Sequence, residues 1–200
     1  MNYAKMINFN GTPCVELSAG GYNALIAYEI GCNVIRLRDI VNSVEFFRFN
    51  DKNSAQTIID SPEVWGLPTL YLPNRFSDGI IKTSDAEYKL PVNEKNHYSN
   101  HIHGFLHKRV HTVVEYKYDD THAWLKTKYE FDEKDEFYQH MPIRFTAEYT
   151  FTLSDKGMQQ DICFTNHSDK VLPMSLGSHT SIMAPFVDGA KAADIRLTVP

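Results

Sequence analysis

Histidines are concentrated in one short stretch of the sequence. Five of the nine fall within 15 positions: His97, His101, His103, His107 and His111. Side chains repeat every two residues along a strand, so a strand here would place His101 and His103 on one face. Two neutral imidazoles on one face can form a metal-binding pair, and His107 could supply a third ligand. No acidic residue follows between Gly104 and His107 to complete such a set. Structural histidines explain the cluster more simply, and we expect His97, His107 and His111 to be structural.

Asn74 and Arg75 form a second group that could do chemistry. They lie at the centre of a segment, residues 72–79, that reads LPNRFSDG, in which Pro73 and Gly79 flank a turn. The planar guanidinium presents a fork of donors that matches vicinal hydroxyls or a carboxylate. The amide adds one donor and one acceptor, which suits sugar hydroxyls. Taken alone, a surface arginine in a turn is the simpler explanation.

His179 is the third candidate. It follows a run of small residues in the segment LPMSLGSHT, residues 172–180. A histidine at the end of a strand is well placed to project into a cleft. Its imidazole gives and takes a proton near neutral pH. Taken alone, this residue is also more simply structural.

The elements that must position these residues are predicted to be strands. Apolar residues alternate with polar ones from Ile143 to Leu153, a turn follows at residues 154–157, and the alternation resumes from Met158 to Phe164. The same pattern joins Val114–Tyr118 to Leu125–Phe131 across a turn near Asp119. Strict alternation indicates strands with one face on a core and one towards water. Many short strands joined by turns predict an all-β, antiparallel sandwich or barrel.

Three finer expectations concern two arginines, one short helix and the end of the sequence. Arg36 and Arg38 alternate with apolar residues and are expected to point outward. The only helix-start signal that we single out is Ser61-Pro62-Glu63, which predicts one or two turns at most. Residues 193–200 look like the beginning of another strand, so we expect the chain to stop partway through a larger β domain.

Composition excludes several classes of protein. The chain has 200 residues, 42% of them hydrophobic, with 20 basic residues against 25 acidic ones and a formal net charge of −5. A nucleic-acid binder that depends on phosphate contacts is normally basic, so we expect no nucleic-acid partner. No window approaches 18 apolar residues, and three unpaired cysteines are typical of a reducing compartment. We therefore expect a cytoplasmic protein with no membrane span.

In combination, the three motifs resemble the aldose 1-epimerase (galactose mutarotase) family. The matching segments are LPNRFSDG at residues 72–79, NHIHGF at residues 100–105 and the stretch from Tyr149 to His179, which is the most specific. The resemblance implies the galactose-mutarotase β-supersandwich. It also implies that residues 1–200 form a single β-sandwich domain, the first two-thirds of a family member, cut before its last third.

The resemblance also implies roles for particular residues. His179 would be the general acid, while Asn74, Arg75 and His103 would hold the hydroxyls and ring oxygen of a small sugar substrate, with His103 also counted as catalytic. No metal or organic cofactor is required. The family's general base is a glutamate in the last third, which we expect beyond Pro200. Among residues before it, Glu63, Asp78 and Asp85 are expected to be solvated turn or strand residues.

The sequence departs from the family pattern at two places, and these departures leave alternatives open. Phe105 replaces a second glycine after the His-Gly pair, and Thr180 begins a changed sequence after His179. A non-catalytic carbohydrate-binding relative is one alternative. A hexose-phosphate epimerase is another, with Lys108 and Arg109 as its candidate basic pair. A metal-dependent enzyme using His101, His103 and His107 with zinc, nickel or iron is the most distant. The leading hypothesis, anomer interconversion in an aldose, requires Arg75, His103 and His179 to meet at one cleft.

Overall fold

The computed structural model describes residues 1–48, 54–94, 98–196 and 198. Almost all of its regular structure is β-strand, and every named strand pair is antiparallel. The prediction of an all-β, antiparallel fold is therefore confirmed. In chain order the elements are β1 (Tyr3–Phe9), β2 (Thr12–Ala19), β3 (Tyr22–Ala27), β4 (Asn33–Asp39), β5 (Val44–Glu45), α1 (Ala55–Asp60), β6 (Thr69–Leu70), β7 (Arg75–Ser77), β8 (Ile80–Lys82), β9 (Glu87–Lys89), β10 (Asn100–Ile102), β11 (Thr112–Tyr118), β12 (Ala123–Phe131), β13 (Phe145–Ser154), β14 (Gly157–Asn166) and β15 (Gly177–Ser178). Short 3₁₀ turns cover Pro62–Val64, Leu106–Lys108 and Ala192–Asp194.

Two sheets pack face to face. Strands β1 to β5 form one sheet in sequential order, and β11 to β14 form the other. Residues from both sheets belong to one apolar core, including Leu17 and Ile26 from the first and Phe145, Tyr149 and Phe151 from the second. The alternation along β13 predicts this core correctly, because each of those three side chains is fully buried.

A smaller core lies apart from the main one. It consists of Cys14, Leu25, Ala27, Ile30, Ile35 and Ile58. Ile58 comes from α1, which the sequence analysis did not predict. Ser54 caps this helix by accepting a hydrogen bond from the Thr57 amide, and the helix is only six residues long. Because this second core takes up Leu25 and Ala27, β3 is buried on both sides.

Two smaller expectations from the sequence are wrong: that Arg36 points outward, and that Val114, Tyr116 and Tyr118 face the core. Arg36 is buried, because β5 brings Glu45 to its side, where the Arg36 Nε donates to Glu45 Oε2 at 3.2 Å. Val114, Tyr116 and Tyr118 are exposed. They lie on the edge strand β11, and its register shifts after Val113.

The other expectations concern the short helical turns. The Pro62–Val64 turn agrees with the start signal at Ser61. In place of a terminal strand, Ala192–Asp194 form a 3₁₀ turn, while residues 197, 199 and 200 lie outside the described part of the chain. No helix in the described part of the chain is long and apolar enough to cross a membrane.

Candidate active site

Two very short strands bring the first two motifs together. Strand β7 pairs with β10, and Arg75 lies opposite Ile102. One residue further on, the His103 amide donates to the Asn74 carbonyl oxygen over 3.0 Å. Asn74 and His103 both have a φ of 65°, in the left-handed region. The chain therefore turns at both residues, which places Asn74 and Arg75 directly beside His103.

A third pairing brings in His179. Strand β15 pairs with β6, so Gly177 lies opposite Leu70. Tyr71, which follows β6, accepts a hydrogen bond at its carbonyl oxygen from the Phe105 amide over 3.1 Å. The His103 and His179 rings then meet edge to face, with their centroids 5.4 Å apart. The structure thus brings His103 and His179 from distant segments into contact, with Arg75 acting on the His103 ring. That the three side chains share one sugar-binding cleft stays a prediction.

Arg75 is held by a carboxylate that the sequence analysis did not single out. Its Nε donates to Glu94 Oε1 and Oε2 at 3.0 and 2.9 Å, and its Nη2 donates to Oε1 at 2.8 Å. Asn100 Nδ2 also donates to Glu94 Oε2, at 2.8 Å. These bonds lower the pKa of Glu94, and the same carboxylate raises the pKa of Arg75. Glu94 could not be found from spacing, since only the pairing of β7 with β10 brings it to Arg75.

The His103 ring lies between charges of both signs. Burial lowers its pKa, and so do the nearby His179 ring and the Arg75 guanidinium, while Glu63 and Glu94 oppose this shift. Glu63 is half-buried, so the expectation that it is a solvated residue is wrong. Its Oε2 and the Nδ1 of His103 are both buried without a hydrogen-bond partner among the described residues. Glu63 is thus a residue of this site whose place the sequence did not reveal.

The remaining histidines of the cluster lie elsewhere. His101 is buried, with its Nδ1 2.6 Å from the Pro91 carbonyl oxygen and its ring against Phe137. It does not share a face with His103, because β10 ends at Ile102 and the left-handed backbone at His103 breaks the alternation. His107 and His111 are also buried, which agrees with the expectation that they are structural, and His97 lies outside the described residues. Within the described ranges, no three His, Cys, Asp or Glu side chains are grouped to hold a metal ion.

The basic pair considered for a sugar phosphate is not available as a pair. Arg109 donates to both oxygens of Asp135, at 2.5 and 2.9 Å, and it also pairs with Glu136 at 3.3 Å. Its guanidinium packs over the Phe105 and Phe137 rings. Arg109 therefore joins the segment after the His-Gly motif to the loop after β12. Lys108 is exposed.

Comparison with known proteins shows the same family and the same fold. The sequence profile of the aldose 1-epimerase family matches residues 13–195. The crystal structure of a galactose mutarotase-like protein from Clostridium acetobutylicum is 33% identical, with a TM-score of 0.89, and the match covers 95% of this chain and 56% of that one. The Slr1438 protein from Synechocystis sp. PCC 6803 shares the fold at 15% identity, with a TM-score of 0.67, over 90% of this chain and 57% of that one. The chain thus spans little more than half the length of these relatives. It belongs to the aldose 1-epimerase family.

Proposed function

We propose that this protein interconverts the α and β anomers of an aldose by acid–base opening of the sugar ring. The observation that carries the proposal is the contact between His103 and His179, whose ring centroids lie 5.4 Å apart. Family membership supports an epimerase of this type, and the placement of Arg75 beside His103 supports a site that holds hydroxyls. The small-molecule partner is therefore a free or substituted aldose.

Ring opening needs one group that removes a proton and another that supplies one. A base takes the proton of the C1 hydroxyl, the electron pair of that O–H bond forms the carbonyl, and the bond between C1 and the ring oxygen breaks. The ring oxygen takes a proton from the acid. Rotation about C1–C2 and the reverse steps give the other anomer. Imidazole suits the role of acid because it exchanges protons near neutral pH.

In this proposal His179 is the acid, the role that the family resemblance implies for it, and its exposed position leaves it open to a substrate. His103, Asn74 and Arg75 hold the ring oxygen and hydroxyls, since they provide donors side by side. The base is the glutamate that the family resemblance expects after Pro200. The steps use no metal or organic cofactor.

Replacing the proposed acid gives the decisive test. We expect His179→Gln to slow anomer exchange, measured by polarimetry, by about 10²–10⁴-fold, because glutamine cannot supply the proton. Sugar affinity should be largely unchanged. His122→Gln is the matched control, since His122 is a partly exposed histidine in the turn between β11 and β12. Unchanged turnover in His179→Gln would remove the assigned acid.

Replacing the arginine tests binding separately. Arg75→Ala should mainly weaken sugar affinity, because it removes the donor fork. Arg144→Ala is its control, since Arg144 is an exposed arginine that pairs with Glu133. If neither affinity nor rate moves in Arg75→Ala, the sugar site lies elsewhere. A wild-type protein that binds sugar but leaves the rate of anomer exchange unchanged would be a carbohydrate-binding relative.

A further inference from the structure

We propose that Glu94 is a specificity-determining residue of the sugar site: its carboxylate orients the Arg75 guanidinium and offsets its charge, so that the site favours uncharged sugars over phosphorylated or carboxylated ones. This inference rests on the proposed function, because it assumes that sugars bind beside Arg75, His103 and His179. It assigns to Glu94 a role that the motif residues do not include.

The first step of the argument is that Glu94 is fixed in place. Its amide donates to the Asn100 carbonyl oxygen at 3.1 Å, and the Asn100 side chain donates to Glu94 Oε2 at 2.8 Å. The preceding residue, Asn93, donates to the Ile102 carbonyl and accepts from the Ile102 amide, at 3.0 and 2.7 Å. Two consecutive residues are thus bonded to β10, the strand that carries the His-Gly motif at its end. The carboxylate is held by the same element that positions His103.

The second step concerns the orientation of Arg75. The ion pair is bidentate, with three N–H···O distances of 2.8–3.0 Å. These bonds engage Nε and Nη2, and Nη1 is not among the donors that Glu94 binds. Since a guanidinium has five N–H groups, several remain for neutral acceptors such as sugar hydroxyls. The Arg75 side chain is 51% exposed and that of Glu94 only 18%, so the guanidinium stands nearer to solvent than the carboxylate that holds it.

The third step concerns charge. Among the described residues, the charged groups that act most strongly on the His103 ring are one cation, Arg75, and two carboxylates, Glu63 and Glu94. With neutral imidazoles, their sum is an excess of one negative charge. Arg109, the arginine that follows the His-Gly motif in the sequence, is paired with Asp135 and Glu136. A hydroxyl needs only the unused donors of Arg75, whereas a phosphate also needs a net positive field. The site therefore suits an uncharged sugar.

Glu94→Gln tests this directly, because it keeps the shape of the side chain and an acceptor oxygen for Arg75 but removes the charge. Binding of D-glucose and of D-glucose 6-phosphate is measured by calorimetric titration of the protein. We expect the affinity for the phosphate ester, relative to that for glucose, to rise about tenfold in the variant. The affinity for D-galacturonate, relative to that for D-galactose, should also rise in the variant, but by less, because galacturonate carries a smaller charge than the phosphate ester.

The matched control is Glu133→Gln, which removes the carboxylate of another exposed Arg–Glu pair, that with Arg144. It should leave both affinity ratios unchanged. Glu94→Asp keeps the charge but shortens the side chain, so it should weaken glucose binding without raising relative phosphate affinity. If Glu94→Gln does not fold, judged by circular dichroism, Glu94→Ala serves the same comparison, with the same expected rise.

The outcomes separate this inference from the proposed function. An unchanged affinity ratio in the Glu94 variant, or an equal loss of affinity for both sugars, overturns the inference while leaving the sugar site intact. A wild-type protein that prefers glucose 6-phosphate to glucose also overturns it. A wild-type protein that binds no member of a panel of aldoses overturns the proposed function, and the inference with it.

Discussion

At the scale of single residues, His103 is the point where the charges of the site meet. Burial, the His179 ring and Arg75 disfavour its protonated form and together lower its pKa, while Glu63 and Glu94 favour the protonated form. In the proposed function, such an imidazole would accept from a hydroxyl in its neutral form and donate to the ring oxygen when protonated. The carboxylates around it therefore have a direct effect on its proton-transfer chemistry.

The contribution of Glu63 can be measured by itself. We expect Glu63→Gln to lower the pKa of His103, because it removes a carboxylate that favours the imidazolium. The pKa is read from histidine ring signals in an NMR titration, with His103→Gln used to assign the signal. Glu87→Gln provides the control, since Glu87 is an exposed glutamate on β9. A His103 pKa that does not move, or that rises, would show that Glu63 does not act on the ring.

Sequence motifs located only part of this arrangement. Arg75, His103 and His179 were identified because their motifs occur in the order that the family has. Glu63 and Glu94 belong to no such motif, and they reach the site through tertiary contacts that spacing does not encode. A lone acidic residue is usually solvated, so the sequence predicted that Glu63 would be exposed, whereas it is half-buried.

At the scale of elements, the site is assembled by strands of two or three residues. Strands β6, β7, β10 and β15 are too short to show alternation, so the sequence could not predict them. The ten-residue strands β13 and β14 have many alternating positions, and their hairpin was predicted almost to the residue. Long strands thus define the fold, while the short strands next to the candidate site residues depend on backbone contacts between distant loops.

The tightest of these backbone contacts is that between Gly104 and Tyr71. Gly104 has a φ of 63°, and it lies so close to the Tyr71 carbonyl oxygen that a β-carbon would overlap that atom. We expect Gly104→Ala to lower the free energy of unfolding by about 2–4 kcal/mol, because it combines backbone strain with a clash against fixed backbone. Chemical denaturation measures the change.

Gly157→Ala is the matched control for Gly104→Ala. Gly157 also has a positive φ, of 96°, but nothing lies within 4 Å of the position of a β-carbon. Gly157→Ala should therefore lower the free energy of unfolding only by the cost of backbone strain, about 1–2 kcal/mol. Equal losses in the two variants would mean that the approach of Gly104 to Tyr71 is not tight in solution.

At the scale of the whole molecule, two buried histidines make the stability of the fold depend on pH. His107 and His111 lie in the interior, and burial lowers the pKa of each to about 3. His111 packs against the Tyr129 and Tyr149 rings, and its Nδ1 is 3.3 Å from Thr127 Oγ1. The sequence predicted that these histidines are structural. It could not predict their burial, which requires both sheets and the segment between β10 and β11 to be in place.

The sign of the pH effect follows from these pKa values. An unfolded histidine takes up its proton near pH 6.5, whereas the folded protein excludes it until about pH 3. Between these values the unfolded state binds more protons, so stability falls as the pH is lowered. From pH 6.5 to pH 5, each histidine should reduce the free energy of unfolding by about 1.6 kcal/mol.

Replacing one histidine isolates its share of this pH dependence. We expect His111→Gln to reduce the slope of unfolding free energy against pH, between pH 4 and 6, by about 1.4 kcal/mol per pH unit, because one proton fewer is taken up on unfolding. The slope is independent of any constant loss of stability that the substitution causes, and denaturant unfolding at a series of pH values measures it. His122→Gln should leave the slope unchanged, since the His122 side chain is partly exposed in the turn between β11 and β12, where it hydrogen-bonds with Thr121. If the slope of His111→Gln equals that of the wild type, the His111 ring is protonated in the folded protein, and the closed interior between the two sheets would have to admit water.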